Sequence, residues 1–302
     1  MSKWTLGIIG GSGLYQIPGI EGGRWETITT PWGLPSDQVY RGKLHGVDLV
    51  FLPRHGRGHR IPPSEVNYRA NIAALKSLGV TDILSLSAVG GLRADLPPGT
   101  FVVVDQFIDR TFARAKSFFG TGLVAHVSMA HPTCGRLSKA LAAAARSLNI
   151  PHVLGGTYIA MEGPQFSTLA ESEGFRREKY DVIGMTNMPE ARLAREAELP
   201  YASLAMVTDY DCWHPSEADV DVSTVLAVMK RNTDRAIETL RALAPTLPDP
   251  ALSPASRALE HALITRRDAI SSDARVKLAA VIALNSLLLR LQKKRWRVLG
   301  YR

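Results

Sequence analysis

Cysteine is scarce in this chain of 302 residues: Cys134 and Cys212 are its only two. That excludes a disulfide framework and a cysteine-based metal site, and makes a reducing cytoplasm the expected setting. Long apolar runs are missing as well. The most apolar stretch, residues 276–291, is interrupted by Lys277, Asn285 and Ser286, too short and too mixed to span a bilayer. No basic region followed by an apolar run opens the chain, so no secretory leader is expected. There is no Walker motif, internal repeat or low-complexity run, and Gln16 stands where a dinucleotide fingerprint starting at Gly11 would need its third glycine.

Acidic residues are absent from the end of the chain. The net charge of +8 comes from 36 basic and 28 acidic residues, and Asp273 is the last acidic one. Eight positive charges follow it, which leaves 28 basic against 28 acidic residues in positions 1–273. A neutral body with a basic tail lacks the broad cationic face of a polyanion binder, so neither nucleic acid nor membrane is an expected partner. Pro245, Pro248, Pro250 and Pro254 interrupt helical continuity. They divide a body, 1–244, from a Pro-rich connection and basic extension, 245–302, where residues 256–265 and 272–292 read as helices.

The body alternates buried strands with amphipathic helices, an α/β pattern with enough apolar residues, 45% of the chain, for a sizeable core. Strands are expected at 5–9, 47–52, 82–87, 101–104, 153–161, 181–185 and 201–207. Helices are expected from Ser64 to near Gly79, at 137–148, from near Ser167, with Pro189 in a first turn, and at 223–243. Several strands run into glycine or basic turns: Gly10-Gly11-Ser12-Gly13, Pro53-Arg54-His55-Gly56-Arg57-Gly58-His59-Arg60, and Ala88-Val89-Gly90-Gly91. In open α/β sheets, ligands sit outside the carboxyl ends of strands, so one shared crevice is expected.

Five basic or imidazole side chains occupy seven positions, 54–60. They make either a solvated basic loop or a cradle for one anion, phosphate first among candidates, because Arg offers a fixed fork of donors. The first glycine turn reads equally as a tight structural turn or as an anion site. Phe166 is either a core aromatic or a platform for a flat base. Asp209 and Asp211 end an apolar strand. If that segment stays extended they share a face and can hydrogen-bond a substrate amine and exchange a proton with a ring nitrogen; otherwise they are turn formers.

Six motifs occur together, in order: Ile9-Gly10-Gly11-Ser12-Gly13-Leu14, Pro53-Arg54-His55-Gly56-Arg57-Gly58-His59, Val66-Asn67-Tyr68-Arg69-Ala70-Asn71, Glu162-Gly163-Pro164-Gln165-Phe166-Ser167, Met185-Thr186-Asn187-Met188-Pro189-Glu190 and Thr208-Asp209-Tyr210-Asp211-Cys212-Trp213. Over roughly residues 5–240 the chain resembles the trimeric purine nucleoside phosphorylases. The resemblance implies a single α/β domain, 1–244, with a mixed central sheet flanked by helices. It implies a homotrimeric cytoplasmic enzyme that takes a nucleoside and inorganic phosphate as co-substrate, with no cofactor and no metal. Phosphate would meet Ser12, Arg54, His55, Ser87, the Ala88 backbone and Thr186. Met185 would lie under the ribose and His59 near its 5′ side. Phe166 and Ser167 would line the base pocket. Asp209 and Asp211, with Tyr210 between them, would face the purine amine and N7 and carry the catalysis. Val222, Val225 and Leu226, with His126 from the adjacent subunit, would seat a 5′-methylthio group. The implied reaction is phosphorolysis of 5′-methylthioadenosine to adenine and 5-methylthioribose 1-phosphate. The alternative is a 6-oxopurine nucleoside or 5′-methylthioinosine as substrate.

Overall fold

The computed structural model describes residues 4–11, 17–215, 222–247, 249, 253–279, 281 and 282, without the side chains of 222–225. Strand β5 (Asp82–Gly91) is the axis of an 11-stranded mixed sheet. One edge pairs in parallel with β1 (Thr5–Gly10), then antiparallel at Gly90 and Gly91 with β10 (Val182–Gly184). The other edge pairs in parallel with β11 (Tyr201–Asp209) along most of its length. Beyond β1 lie β4 (Val47–Pro53), β3 (Val39–Leu44) and β2 (Glu21–Glu26); beyond β10 lie β9 (Thr157–Ala160) and β7 (Gln106–Asp109). β11 carries β6 (Phe101–Val104) and then β8 (His152–Leu154).

Helices cover both faces. α1 (Tyr68–Ser77) and α4 (Asn187–Glu196) pack on one, α2 (Gly135–Ser147) and α5 (Val222–Leu243) on the other. With both faces covered, the central strands read as continuous apolar runs rather than alternating ones. Ile8, Ile9, Leu84, Leu86 and Leu204 are fully buried, and truncating any of them to Ala costs about 2–5 kcal/mol. The extension belongs to the same core: Leu259, Ile270, Leu278, Val281 and Ile282 join the cluster that holds α1 and α4. Its last described helix is α6 (Ser272–Leu278).

Four local expectations change. The helix predicted from Ser64 begins at Tyr68, capped by the Asn67 side chain on the Ala70 amide, because Pro62 and Pro63 set a 3-10 turn first and Ser64 bonds Glu162 instead. Residues 88–91 are not a turn. They continue β5, and their glycines serve close approach: a Cβ on Gly90 would stand 3.0 Å from Asp209 Oδ1, and one on Gly91 2.9 Å from the Leu96 carbonyl. The strand predicted at 153–161 divides into β8 and β9, because Gly155 and Gly156 take left-handed φ angles of 97° and 147°. Residues 256–265 form the end of a 3-10 turn and further hydrogen-bonded turns rather than a helix, and Leu263 bridges to Ala125. Of the predicted 272–292 helix, 272–278 forms as α6 and 279, 281 and 282 are turn and bend, while the part beyond 282 lies outside the described residues.

Candidate active site

The carboxyl ends of β1, β4, β5 and β11 open onto one cavity of about 480 Å³, within the size range of small-molecule sites. Its wall carries Arg54, His55, His59, Ser87, Ala88, Phe166, Met185, Thr186, Asp209 and Asp211, all anticipated from the sequence. Gly11 reaches the wall as well, while the adjacent Ser12 lies outside the described residues, as do the side chains of Val222 and Val225. Tyr210, Ser167, Leu226 and His126 are not on the wall. Tyr210 stacks on His214 at 4.5 Å and donates to the Ala94 carbonyl at 3.2 Å. Leu226 and His126 are exposed, His126 with its amide bonded to the Ala262 carbonyl.

The basic loop divides. Arg54, His55, His59 and Arg60 line the cavity, but Arg57 turns away to pair with Asp37 and cover the Trp25 ring. Less free charge faces the cavity than the sequence suggests. Arg54 is 1% exposed, and its Nε and Nη2 donate to Glu190 at 2.8 and 3.1 Å. Nη2 also donates to Ser85 Oγ at 2.6 Å and Nη1 to the Leu86 carbonyl at 3.0 Å. Among the described residues, that leaves one of the five guanidinium hydrogens, on Nη1, for a ligand. Burial opposes the charge on Arg54, but the Glu190 carboxylate more than offsets this and keeps it cationic.

His55 is neutral. Burial first, and the Arg54 charge second, push it down to about 3. Its Nδ1 lies 2.9 Å from the Ile61 carbonyl and therefore carries the proton. Nε2 is left as an acceptor. His59 stacks on it at 4.4 Å and is also lowered, by burial. The Ser87 hydroxyl donates to Asn187 Oδ1 at 2.5 Å, and Asn187 in turn donates to Tyr201 and Ser203. Ser85 and Tyr201 both donate to Glu190 Oε1. Fully partnered buried polar groups of this kind hold one geometry.

At the other end stand the two carboxylates. The strand stops at Asp209, and Asp211 sits in the left-handed region with φ 54°, so a turn rather than an extended segment brings both to the cavity. Asp209 Oδ1 accepts from the Asp211 amide at 2.8 Å, and Oδ2 lies 2.6 Å from the Thr208 hydroxyl. Burial raises Asp209 above the usual carboxylate range, and the neighbouring Asp211 adds to the effect. Burial raises Asp211 too. Trp213 holds the turn in place, donating to the Gly91 carbonyl at 2.7 Å beneath the Arg176 guanidinium.

Three wall residues carried no signal of their own. Met229 lies one turn beyond Leu226 on α5, and Met161 follows β9, both indistinguishable in sequence from core methionines. Pro62 likewise reads only as a turn residue. Among the described residues no helix is long and apolar enough to cross a membrane.

A mixed sheet whose strand ends gather an anion-compatible wall and a pair of raised carboxylates around one pocket is the arrangement of the nucleoside phosphorylase class. The chain belongs to the phosphorylase superfamily, whose family model matches residues 5–245. Within it the chain is similar to the S-methyl-5'-thioadenosine phosphorylase of Rhodospirillum rubrum, 57% identical over 280 residues that cover 92% of this chain and 95% of the relative. It is similarly close to that of Cereibacter sphaeroides, 58% identical over 266 residues, 87% of this chain and 92% of the relative. Among solved structures, a methylthioadenosine phosphorylase from an antarctic soil metagenomic library superposes with a TM-score of 0.87 at 46% identity, covering 93% of this chain and all of the other. The Schistosoma mansoni methylthioadenosine phosphorylase in complex with adenine follows at 0.79 and 38%, covering 92% and 97%.

Proposed function

We propose that the chain catalyses phosphorolysis of 5′-methylthioadenosine, releasing adenine and 5-methylthioribose 1-phosphate. The observation that carries this reading is that Arg54, His55, Ser87 and Thr186 share one cavity wall with Asp209 and Asp211. Phosphorolysis needs a held nucleophile, relief of negative charge on the departing base, and tolerance of positive charge on the sugar. Phosphate lies against the Arg54 Nη1 hydrogen, the Thr186 and Ser87 hydroxyls and the Ala88 backbone, below C1′, where its own charge stabilises an oxocarbenium-like transition state. Ser12 joins this set from the glycine turn. Met185 supports the ribose, His59 its 5′ side and Phe166 the base, while Ser167 donates to Met161 Sδ rather than lining the pocket.

Asp209 delivers or shares a proton at N7 as the base leaves, and its raised affinity for protons suits that task. Asp211 receives the exocyclic amine. Tyr210 supports the turn from its outer side rather than touching substrate. The reading requires inorganic phosphate as co-substrate and no cofactor or metal. A homotrimer fits the exposed apolar groups Val124 and Ile264 beside the His126 segment; the partner's copy of that segment would close the 5′ end beside Val222, Val225 and Leu226. Catalysis is assigned to residues 1–244 in the cytoplasm, and none to 245–302.

The test is adenine release from 5′-methylthioadenosine with and without phosphate, beside adenosine and 5′-methylthioinosine. Phosphate-dependent release, fastest from 5′-methylthioadenosine, supports the reading. Release without phosphate makes the chain a hydrolase, and preference for 5′-methylthioinosine moves it to the 6-oxopurine enzymes.

A further inference from the structure

Arg114 lies outside the cavity wall and its side chain is 1% exposed, yet it touches both segments that shape the sugar end. Its Nη1 donates to the Met185 carbonyl at 2.6 Å, the Met188 carbonyl at 2.7 Å and the Tyr68 hydroxyl at 3.2 Å. Nη2 donates to the Glu162 carbonyl at 2.7 Å and, at 3.4 Å, to that of Met161. Nε points to Glu162 Oε1 at 3.4 Å. The Glu162 carboxylate is otherwise taken by Ser64 and by the Phe112 and Ala113 amides, so loop and strand end clasp each other. The guanidinium is thus a pin driven between the ends of β9 and β10.

What it pins is specific. Met185 and Thr186 follow β10 and line the cavity, and Met161 follows β9 and lines it too. Gly163, at φ 69°, brings the second segment so close that a Cβ there would stand 2.5 Å from Met185 Sδ. The Thr186 amide is fixed separately, on the Tyr158 hydroxyl at 3.3 Å. A planar fork with five donors can hold carbonyls from two segments at once; an ammonium, a point charge with three hydrogens, cannot span them in the same geometry.

We propose that Arg114 is a positioning residue for the reaction: by holding the Met185 and Met188 carbonyls against those of Met161 and Glu162, it sets the Met185 side chain under the ribose and so fixes C1′ over the nucleophile. The proposal rests on the phosphorylase reading above. It adds to that reading a residue that touches neither phosphate nor nucleoside.

A kinetic cycle tests it, with Arg114→Lys, Met185→Ala and the double variant compared in phosphate-dependent adenine release and in melting temperature. Misplacing a reacting atom by an ångström costs about 10²-fold, and Arg114→Lys is expected to lose about that in kcat with less than about a threefold change in KM for phosphate. In the Met185→Ala background the same change is expected to cost less than about fivefold, because the group it places is gone. Equal losses in both backgrounds, or a loss confined to melting temperature, overturn the proposal. Should Arg114→Lys fail to fold, Tyr68→Phe removes one anchor of the guanidinium; its smaller kcat loss must likewise vanish beside Met185→Ala, or the proposal falls. Absence of phosphate-dependent release by the unsubstituted chain would instead sink the function itself.

Discussion

The two ends of the cavity are built on opposite principles. At the phosphate end the buried polar groups are already answered, Arg54 by Glu190, Glu190 by Ser85 and Tyr201, and Ser87 by Asn187, and the buried His55 is neutral. At the base end, two carboxyls are held where burial raises their proton affinity, and among the described residues Asp211 Oδ2 has no hydrogen-bond partner. The difference follows from what each ligand brings. Phosphate arrives charged and hydrated, and is best met by rigid dipoles and hydroxyls that need only rotate. A purine arrives neutral and leaves needing a proton, so the protein places there carboxyls whose burial raises their hold on one.

The largest expected effect breaks the contrast from the phosphate side. Removing one member of a buried ion pair leaves the other charge uncompensated, at about 3–5 kcal/mol. Glu190 and Arg54 are both buried, so Glu190→Gln should lose stability of that order, read as a shift in the denaturant midpoint. Phosphate binding should weaken as Arg54 loses its fixed orientation. A variant as stable as the parent would mean that the Ser85 hydroxyl and the Leu86 carbonyl alone hold Arg54.

From the base side, Asp209→Asn should leave phosphate affinity intact and lower turnover of 5′-methylthioadenosine by about 10²-fold, the lower reach of general acid catalysis. Preference should move toward 6-oxopurines. Because Asp209 is raised, its protonated fraction falls as pH climbs, so the unsubstituted chain should show an alkaline limb in kcat/KM that the variant lacks. An unchanged limb would assign the proton to another group.

These two ends were unequally legible in the sequence. The basic loop, the glycine turn and the Asp pair announce themselves by residue type at the ends of apolar strands. Glu190 stands inside a quoted motif, but nothing local tells that its carboxylate faces Arg54, 136 positions earlier in the chain. The neutralising half of the phosphate end is therefore a product of topology, with α4 laid against β5 and β11. Arg114 is harder still, an Arg in a polar loop most of whose acceptors are main-chain carbonyls, which no side-chain pattern encodes. The sheet was readable because its strands are buried on both faces. The glycines at 90 and 91 were misleading, since close packing against Asp209 and β10 asks for the same residue as a turn.

A smaller effect separates the ends by pH. His55 is pushed down to about 3 in the folded chain and returns to its ordinary value near 6.5 when unfolded. The unfolded chain then binds more protons between those values. The stability contribution is complete above about pH 6.5 and is lost as pH falls toward 3, at a slope near 1.4 kcal/mol per pH unit. His59, lowered by burial, acts in the same direction. His55→Gln should flatten this acid limb in melts taken from pH 7 to 4; an unaltered limb would place the acid sensitivity elsewhere.

The smallest effect has the opposite sign and comes from Asp211. Burial raises this carboxyl, so the folded chain holds its proton more tightly than the unfolded one. Stability is therefore highest below the unfolded value of about 3.9 and declines as pH rises through the folded one, where an ionised group is left buried. Asp211→Asn removes that burden without disturbing the turn, because Asn is one of the few residues that accept a φ of 54° and its amide oxygen can still accept from the Ser172 and Ser167 hydroxyls. The variant should gain stability at pH 8, at the low end of the ~0.5–2 kcal/mol usual for single stabilising changes, and gain nothing at pH 3. Activity should fall in the same variant, since the purine amine loses its acceptor. A variant less stable than the parent at pH 8 would mean that Asp211 is ionised and paired in the empty cavity, and that the base end is as fully answered as the phosphate end.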